Sequence, residues 1–304
     1  FPSTAITLRQ MHVSTFPWGI EPIMLWIDQA RGRLRVGAAA LVAQKASPAP
    51  ARNFQVSTPQ LVASLSEGSY AIEVTADTAQ VIVTNGNAAV TAQDRSVQVT
   101  RGQRTVATLG QPPLPALPAA QDIIVNGDFN DPLARGWTVV REPANDPTVA
   151  TGSVAVTPLG DRHAVNLTRS NSNQTSAVTG VIQSINKEVS DYRSVSLSAD
   201  IRIHFQNLSG GGVLSSEYPL ILRMKYRDVY GSEAEWVHGF YIQNTTNNPT
   251  NNGEQIPPDL WVPFEAGNLF ETLDPKPFFI TSLQIYASGW DYDSSVSGVR
   301  LVVE

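Results

Sequence analysis

The stretch Ile123-Ile124-Val125-Asn126-Gly127-Asp128-Phe129-Asn130, followed closely by Gly136-Trp137, decides how the larger part of this chain is interpreted. Three apolar residues lead into Asn-Gly-Asp, where Asn and Gly tolerate positive φ and Asp can bond its own backbone. Phe129 and Trp137 then return large apolar area to a core. These residues predict an apolar strand that ends in a turn, the first strand of a β domain.

Long strands with one wet face follow this stretch. In the clearest of them, two rows of side chains alternate, and the same period of two recurs at 220–227, 236–242, 283–287 and 299–303. Such alternation is typical of antiparallel strands that face the core on one side and water on the other. Because no helical segment separates these strands, the sequence predicts a β-sandwich of jelly-roll type. In the clearest strand the apolar row is Val195, Leu197, Ala199, Ile201, Ile203 and Phe205, and the polar row is Ser194, Ser196, Ser198, Asp200, Arg202 and His204.

The N-terminal part is predicted to be a small antiparallel β domain. Tyr70, Ile72 and Val74 alternate with polar neighbours, and Asn85-Gly86 is a strong hairpin signal in which both residues take positive φ. Residues 44–53 are expected to form an exposed loop. The segment 110–121 contains four prolines and is predicted to be a semi-rigid spacer. The chain is therefore predicted to be all-β, with domains at 1–109 and 122–304 joined by a linker at 110–121.

Composition excludes several classes of function. The chain has 304 residues, of which 42% are hydrophobic and 16% charged, and its net charge of −6 argues against nucleic acid as a partner. The absence of cysteine excludes disulfides, thiolate metal sites and a Cys nucleophile. No run approaches the roughly 20 apolar residues of a membrane span. The polar, hydroxyl-rich composition and the start at Phe1 lead us to expect a processed or partial extracytoplasmic or cell-surface protein, with any export signal or membrane anchor upstream.

Four short segments of the N-terminal part resemble a FecR-type domain, and the resemblance covers about 5–108. The chain departs from that family where Glu67-Gly68-Ser69 replaces Arg-Gly-Thr. The resemblance implies an envelope-sensing regulator as one function of the whole chain. The segments are Phe54–Pro59, Glu67–Val74, Asn85–Val90 and Val97–Gln103.

The C-terminal part, 123–304, resembles the jelly rolls of galactose-binding-like carbohydrate-binding modules. The resemblance lies in Val125–Asn130 with Gly136-Trp137, and in Ile285–Val303 as the closing strand pair. It implies the fold, and it implies a structural calcium ion between the first turn and the last strand. Calcium takes about six to eight oxygen ligands. Asp128, Asn130 and Asp293 are the candidates, although Asn130 stands where the family has Glu, and Ser297-Gly298 where it has two Asp residues.

Sugar binding is the second chemistry that the sequence suggests. A sugar site needs exposed aromatic faces and a few planar polar side chains. The candidates are Trp290, Tyr292, Tyr286 and Tyr241, with Arg202 and Arg223, and beside these His204 and Lys225, on the wet faces of the strands. The competing interpretation places Trp137, Trp236 and Trp261 in the core, leaves Trp290 open between core and loop, and pairs the basic residues with acids across strands.

Catalysis has little support in the sequence. The four histidines lack metal-ligand spacing, no G-x-S-x-G motif is present, and the Asp291/Asp293 pair is expected to be solvated. We therefore expect a non-catalytic protein. Three hypotheses remain: recognition of a polysaccharide or cell-surface glycan, self-association into a filament or lattice by strand addition, and FecR-like regulation.

Overall fold

The computed structural model describes residues 4–12, 23–38, 52–142, 148–160 and 162–304. The chain divides into two compact units, Phe1–Gln121 and Asp122–Glu304. The described residues form strands almost throughout, with one short helix, so the all-β prediction is confirmed. Strands of the first unit are β1 (Ala5–His12), β2 (Ile23–Ala38), β3 (Arg52–Ser57), β4 (Val62–Leu65), β5 (Gly68–Val74), β6 (Thr78–Asn85), β7 (Asn87–Ala92), β8 (Arg95–Thr100), β9 (Gln103–Thr108) and β10 (Leu117–Pro118).

In the first unit, the long strand β2 belongs to both halves of one continuous sheet. The strand order is β10-β9-β6-β5-β2-β3-β4-β7-β8, and β1 also pairs with β2. The pairing is antiparallel except between β2 and β3, which run parallel. Tyr70, Ile72, Val81 and Val90 are buried in the core of this unit. The loop expected at 44–53 lies outside the described residues up to residue 51, and its last two residues begin β3.

The hairpin predicted at Asn85-Gly86 is wrong. Gly86 has a φ of 88°, but Asn85 is not in the positive-φ region, and β6 and β7 pair with other strands rather than with each other. Gly86 instead lies against the Glu67 carbonyl and the Tyr70 hydroxyl, where a side chain has no room. The two-residue hairpin turn with both residues at positive φ is Gln93-Asp94, between β7 and β8.

The proline-rich segment predicted as a semi-rigid spacer lies along β9. The Leu114 N–H donates to the Val106 carbonyl at 2.9 Å, and the Thr105 hydroxyl donates to the Leu114 carbonyl at 2.6 Å. The Ala119 N–H donates to the Gly102 carbonyl at 2.8 Å. Prolines are tolerated in this position because an edge strand does not need every N–H in the ladder.

The second unit is a β-sandwich of jelly-roll type built from two sheets. The first sheet has the order β13-β14-β22-β16-β20, with β11 also paired to β22, and the second has the order β12-β15-β21-β17-β18-β19. Its elements are β11 (Gln121–Asp122), at the boundary of the units, β12 (Thr138–Glu142), β13 (Ser153–Leu159), β14 (Arg162–Arg169), β15 (Ala177–Glu188), β16 (Val195–Gln206), β17 (Leu220–Arg227), β18 (Glu233–Tyr241), β19 (Gly253–Gln255), β20 (Val262–Glu265), α1 (Leu269–Thr272), β21 (Phe279–Gly289) and β22 (Tyr292–Val303).

The predicted alternation of β16 is confirmed as far as Ile203. Val195, Leu197, Ile201 and Ile203 are buried completely. Phe205 departs from the row, because a bulge lies between Ile203 and Phe205, and its side chain is 47% exposed. The prediction that Phe205 faces the core is therefore wrong.

The strand predicted at 123–125 is also wrong, because this segment is bonded to both sheets without forming a ladder. The Ile123 N–H donates to the Leu301 carbonyl of β22 at 2.9 Å. The Gln183 carboxamide of β15 accepts from the Val125 N–H and donates to the Val125 carbonyl, both at 2.8 Å. The Val299 N–H then donates to the Gly127 carbonyl at 2.9 Å.

The turn after this segment is held by Asn126, which has a φ of 54°. Its side-chain oxygen accepts from the Asp131 N–H at 3.1 Å, and its side-chain nitrogen donates to the carbonyls of Asp131 and Pro132. The Trp137 indole N–H donates to the Asn126 carbonyl at 3.1 Å. Phe129 and Trp137 are buried beside each other, as predicted, with ring centroids 5.7 Å apart.

A cluster of aromatic rings connects β18 of one sheet with β20 of the other. His238 of β18 stacks with both Trp236 and Phe264, with ring centroids 5.9 and 4.7 Å away, and meets Phe240 edge-on at 5.0 Å; Trp236 and Phe264 lie 6.3 Å from each other. Its Nε2 lies 3.3 Å from a carboxylate oxygen of Glu254. Burial among these rings lowers the pKa of His238 below its ordinary value, against the opposing effect of Glu254.

We predict that the Asn126 turn stabilises the second unit through both its hydrogen bonds and its backbone conformation. Asn126→Gly keeps the φ but removes the side-chain bonds, and we expect a loss of about 1–3 kcal/mol. Asn126→Ala should cost about 1 kcal/mol more, because φ is positive there. Denaturant unfolding followed by tryptophan fluorescence measures both. The matched control is Asn186→Gly, an exposed Asn with a φ of 50°, and an equal loss there would contradict the prediction.

We predict that His238 makes the second unit less stable in acid. Its folded pKa lies below the ordinary 6.5, so the unfolded chain binds this proton first as the pH falls, and stability is lost below about 6.5. His238→Gln should flatten the fall in denaturation midpoint between about pH 7.5 and 5.5. His204→Gln should steepen it, because a hydrogen bond to Asp259 raises the pKa of His204. Identical pH profiles for wild type and His238→Gln would sink the prediction.

Candidate functional site

The outer face of the sheet β12-β15-β21-β17-β18-β19 collects several of the residues that the sequence singled out. The register places two rows side by side across this face. We call this surface the Arg223 face. Its first row is Val140, Gly180, Tyr286, Ile221, Gly239 and Gly253, and its second row is Thr138, Ile182, Gln284, Arg223 and Val237.

Three tyrosines form a cluster at one end of this face. Tyr218, Tyr241 and Tyr286 pack with Ile221, and the rings of Tyr218 and Tyr241 lie 6.1 Å apart. The Tyr218 hydroxyl donates to the Asn251 carbonyl at 3.0 Å and lies 2.6 Å from the Ser215 hydroxyl. These contacts tie the loops before β17 and before β19 to the cluster.

Glycines make room for the ring of Tyr218. A Cβ at Gly211, Gly239 or Gly253 would collide with this ring, whereas one at Gly180 would collide with the Ile285 carbonyl and with Cα and Cβ of Tyr286. The absence of side chains at the first three glycines lets the Tyr218 ring lie low on the sheet, where it is 2% exposed. Tyr241 and Tyr286 pack in the same cluster and are each 8% exposed.

Arg223 is held flat on this cluster. Its guanidinium carbon lies 4.8 Å from the ring centroid of Tyr286, a cation–π contact. Its Nε donates to the side-chain oxygen of Gln284 at 3.0 Å, and Nη2 donates to the same oxygen. Nη1 lies 3.9 Å from a carboxylate oxygen of Glu235 on β18. The guanidinium therefore keeps one orientation, while the Glu235 side chain stays half exposed.

The hydroxyls of Tyr286 and Tyr218 stay protonated. Burial raises the pKa of Tyr286, although the nearby Arg223 charge lowers it in part. Burial also raises the pKa of Tyr218. Both hydroxyls are neutral groups that can donate as well as accept.

Of the predicted sugar-binding residues, the structure brings Tyr241, Tyr286 and Arg223 together. The rings of Tyr241 and Tyr286 are buried, however, so neither presents the exposed face that stacking on a sugar requires. Tyr292 is buried too, at 2% exposure, and burial raises its pKa. Its ring packs on the inner side of the sandwich near Gly152 and Thr179, because its parity in β22 turns it to the core.

The remaining two candidates lie away from the Arg223 face. Arg202 lies on the other sheet, where its guanidinium donates to the carbonyl and carboxylate of Asp259 at 3.2 and 3.4 Å. Trp290 is half-buried in the turn between β21 and β22. The sequence predicts that the basic residues pair with Asp200 or Glu233 across strands. Asp200 instead pairs with Arg162 at 2.7 Å, and Arg223 lies beside Glu235.

The three proposed calcium ligands do not converge. The Gly127 carbonyl of the first turn is bonded to Val299 of β22. Asp293 lies six residues before Val299 in the same strand, where it pairs with Thr168 of β14. At about 3.3 Å per strand residue, Asp293 lies far from Asp128 and Asn130. The Asn130 side chain donates to the Asp128 carboxylate at 2.7 Å, and its oxygen contacts His163. The expected calcium set therefore does not fit this arrangement, and the described residues contain no cluster of three or more His, Asp or Glu side chains suited to a metal ion.

Sequence reasoning missed Tyr218, Gln284 and Glu235. Gln284 and Glu235 carried a signal, since each alternates with core residues on its own strand and so faces outward with Arg223. Tyr218 lies outside the periodic part of β17. Its role becomes visible only when the glycines of neighbouring segments are placed against it.

Comparisons with known proteins give only remote similarity. No protein-family model matches the chain, and no curated protein matches it. Among solved structures, the family 11 carbohydrate-binding module of the cellulosomal cellulase Lic26A-Cel5E of Clostridium thermocellum is similar with a TM-score of 0.36 and 14% identity, over 61% of this chain and 96% of that one. A candidate anti-sigma factor from Parabacteroides distasonis has a TM-score of 0.25 and 11% identity, over 38% of this chain and 60% of that one. Similarities at these TM-scores carry no argument, and the fold described above rests on the strand pairing of the chain itself.

Proposed function

We propose that the second unit is a non-catalytic glycan-recognition module and that the Arg223 face binds the glycan. The observation that supports this most directly is the fixed guanidinium of Arg223, stacked on Tyr286 and bonded to Gln284 beside the half-exposed Glu235. Planar donors and acceptors in fixed positions suit pairs of neighbouring sugar hydroxyls. A pre-oriented guanidinium also loses less side-chain entropy when the ligand binds.

The chemistry of this face favours a neutral or weakly polar glycan over other ligands. Arg223 and Lys225 lie opposite Glu235 on the neighbouring strand, and the Glu142 carboxylate also acts on Tyr286, so the face has no strong single-sign charge. Apolar side chains at Val178, Ile182 and Val237 border it and suit the C–H groups of a sugar ring. An extracytoplasmic location at a cell surface is part of this proposal. No helix in the described part of the chain is long and apolar enough to cross a membrane.

We predict that Arg223→Lys weakens glycan binding about tenfold or more. Lysine keeps the charge but loses the planar fork and the stack on Tyr286, and a charge-assisted hydrogen bond contributes about 1.5–3 kcal/mol. Calorimetry with soluble hexasaccharides of the β-1,4-glucan, β-1,3-glucan, β-1,4-xylan and β-1,4-mannan classes measures the affinity.

The matched control is Arg227→Lys. Arg227 belongs to the same strand and stacks on Phe279 at 4.6 Å, at the far end of β17 from the tyrosine cluster. It should bind as wild type does. A wild-type chain that binds none of these glycans, or an Arg223→Lys variant that binds them normally, would contradict the proposal.

A second candidate function, self-association by strand addition, is favoured by β1. This strand pairs with β2 along one edge, and within the described ranges no strand pairs with its other edge. Seven of its eight residues are exposed, among them Ile6, Leu8 and Met11. An exposed edge strand with apolar side chains is a template for another chain. The pairing partner that this surface suits is the same edge of a second copy.

We predict that Leu8→Lys abolishes any such association, because a charge on an edge strand opposes pairing. Light scattering over a concentration series compares it with wild type and with Val229→Lys, an exposed apolar residue of the second unit. Assembly of wild type and of the control, with a monomeric Leu8→Lys variant, is the expected result. A wild-type chain that stays monomeric at every concentration rules the candidate out.

A further inference from the structure

Phe205 lies on the polar face of its sheet, where the sequence pattern does not put it. The residues of β16 alternate regularly up to Ile203, and then His204 and Phe205 are both exposed. The break coincides with the register shift opposite Ser294 and Asp293 of β22. Bulges redirect side chains and are over-represented beside binding and active sites. The displaced ring is therefore the starting point for a site on this face.

Phe205 borders a cleft of about 570 Å³ on the outer face of the sheet β13-β14-β22-β16-β20. This is the opposite sheet from the Arg223 face. The walls combine the exposed ring of Phe205 and the buried ring of Tyr292 with hydroxyls, carboxylates and an imidazole. The residues that matter here are Ser153, Thr168, His204, Phe205, Asp291 and Asp293.

One buried arginine fixes the rim of this cleft. Arg169 is 4% exposed, and its guanidinium donates to the carbonyls of Ala150, Thr175 and Gly289 at 3.0, 2.6 and 2.6 Å. Three segments that are distant in the sequence are thus tied to one side chain. Because the guanidinium donates to these carbonyls, Arg169 fixes the shape of the cleft, and its positive charge remains in the wall beside the two aspartates.

The carboxylates are fixed as well. Asp291 accepts from the Ser172 N–H at 2.9 Å and from the Asn207 side chain at 3.2 Å. Asp293 accepts from the Asn166 side chain at 2.8 Å. Rigid acceptors reduce the ordering cost of binding.

The groups that line this cleft suit a neutral sugar ring. An aromatic face takes the C–H side of a pyranose ring, and carboxylates and hydroxyls bond its hydroxyl groups. Two aspartates disfavour an anionic ligand by repulsion. The Ser153 and Thr168 hydroxyls, 2.6 Å apart, add groups that both donate and accept.

We propose that this cleft is a second saccharide site, in which Phe205 stacks on a neutral sugar ring and Asp291 and Asp293 accept hydrogen bonds from its hydroxyls. It does not depend on the Arg223 face, because it lies on the other sheet and shares no residue with it. The second unit then binds saccharide on two opposite faces.

Calorimetry on the full chain tests this with the four hexasaccharides named above. Phe205→Ala and Asp293→Asn should each weaken one binding event about tenfold or more, and Arg223→Lys should leave that event unchanged. Leu260→Ala, which removes another exposed apolar side chain of this unit, is the control and should bind as wild type does. Unfolding midpoints equal to that of wild type show that Phe205→Ala still folds.

Three outcomes overturn the proposal. In the first, Phe205→Ala and Asp293→Asn both bind every hexasaccharide as wild type does, which leaves the Arg223 face as the single site. In the second, wild type shows no binding event that survives Arg223→Lys. In the third, calcium chloride alone binds the chain, Asp293→Asn abolishes that binding and Phe205→Ala does not, so the cleft is a cation site.

Discussion

Two hydrogen bonds between the Gln183 carboxamide and the backbone of Val125 fix the segment at which the chain enters the second unit. They give partners to the side-chain oxygen and nitrogen of Gln183, which is buried. Leaving either atom without a partner would cost about 1–3 kcal/mol. The same segment bonds β22 at Ile123 and Gly127, so one short stretch of backbone is shared by both sheets. Phe129 and Trp137 enter the core directly after it, which couples the turn at Asn126 to the packing of the sandwich.

The surfaces of the sandwich follow from the register of its sheets. Arg223, Gln284 and Glu235 become neighbours only because β17 lies between β18 and β21 in a ladder whose register is regular from Ile221 to Lys225. The opposite face uses a break in the ladder, since the bulge in β16 brings Phe205 out of the core. Regular pairing thus builds one surface, and an irregularity builds the other.

The sequence predicts the class of the fold and much of the burial, but not the local exceptions. Period-two alternation is a property of each strand alone, which is why the faces of β17 and most of β16 are correct. The errors at Asn85-Gly86 and Phe205 have one cause: turns and bulges depend on which strands pair, and pairing is not visible in a local pattern. The Gln93-Asp94 turn shows the reverse: Asp94 tolerates positive φ, but Gln93 carries no local signal for it, and the pairing of the flanking strands places the turn there.

The candidate site was predictable in part for the same reason. Tyr241, Tyr286 and Arg223 could be placed on outward rows, but the depth of the tyrosine rings could not, because it depends on packing against Tyr218 from another segment. A calcium set at Asp128, Asn130 and Asp293 fails on distance along β22, which a family pattern without a register does not reveal. Exposure of an aromatic residue is a property of its neighbours as much as of its own position.

The glycines beneath Tyr218 also define how this surface can vary. Each of Gly211, Gly239 and Gly253 leaves just enough space for its ring, so a single added methyl group would lift that ring away from the sheet. The strands would keep their pairing, because their backbone bonds do not involve these positions' side chains. Substitutions as small as Gly→Ala can therefore change the shape of this face while the order and pairing of the strands stay the same.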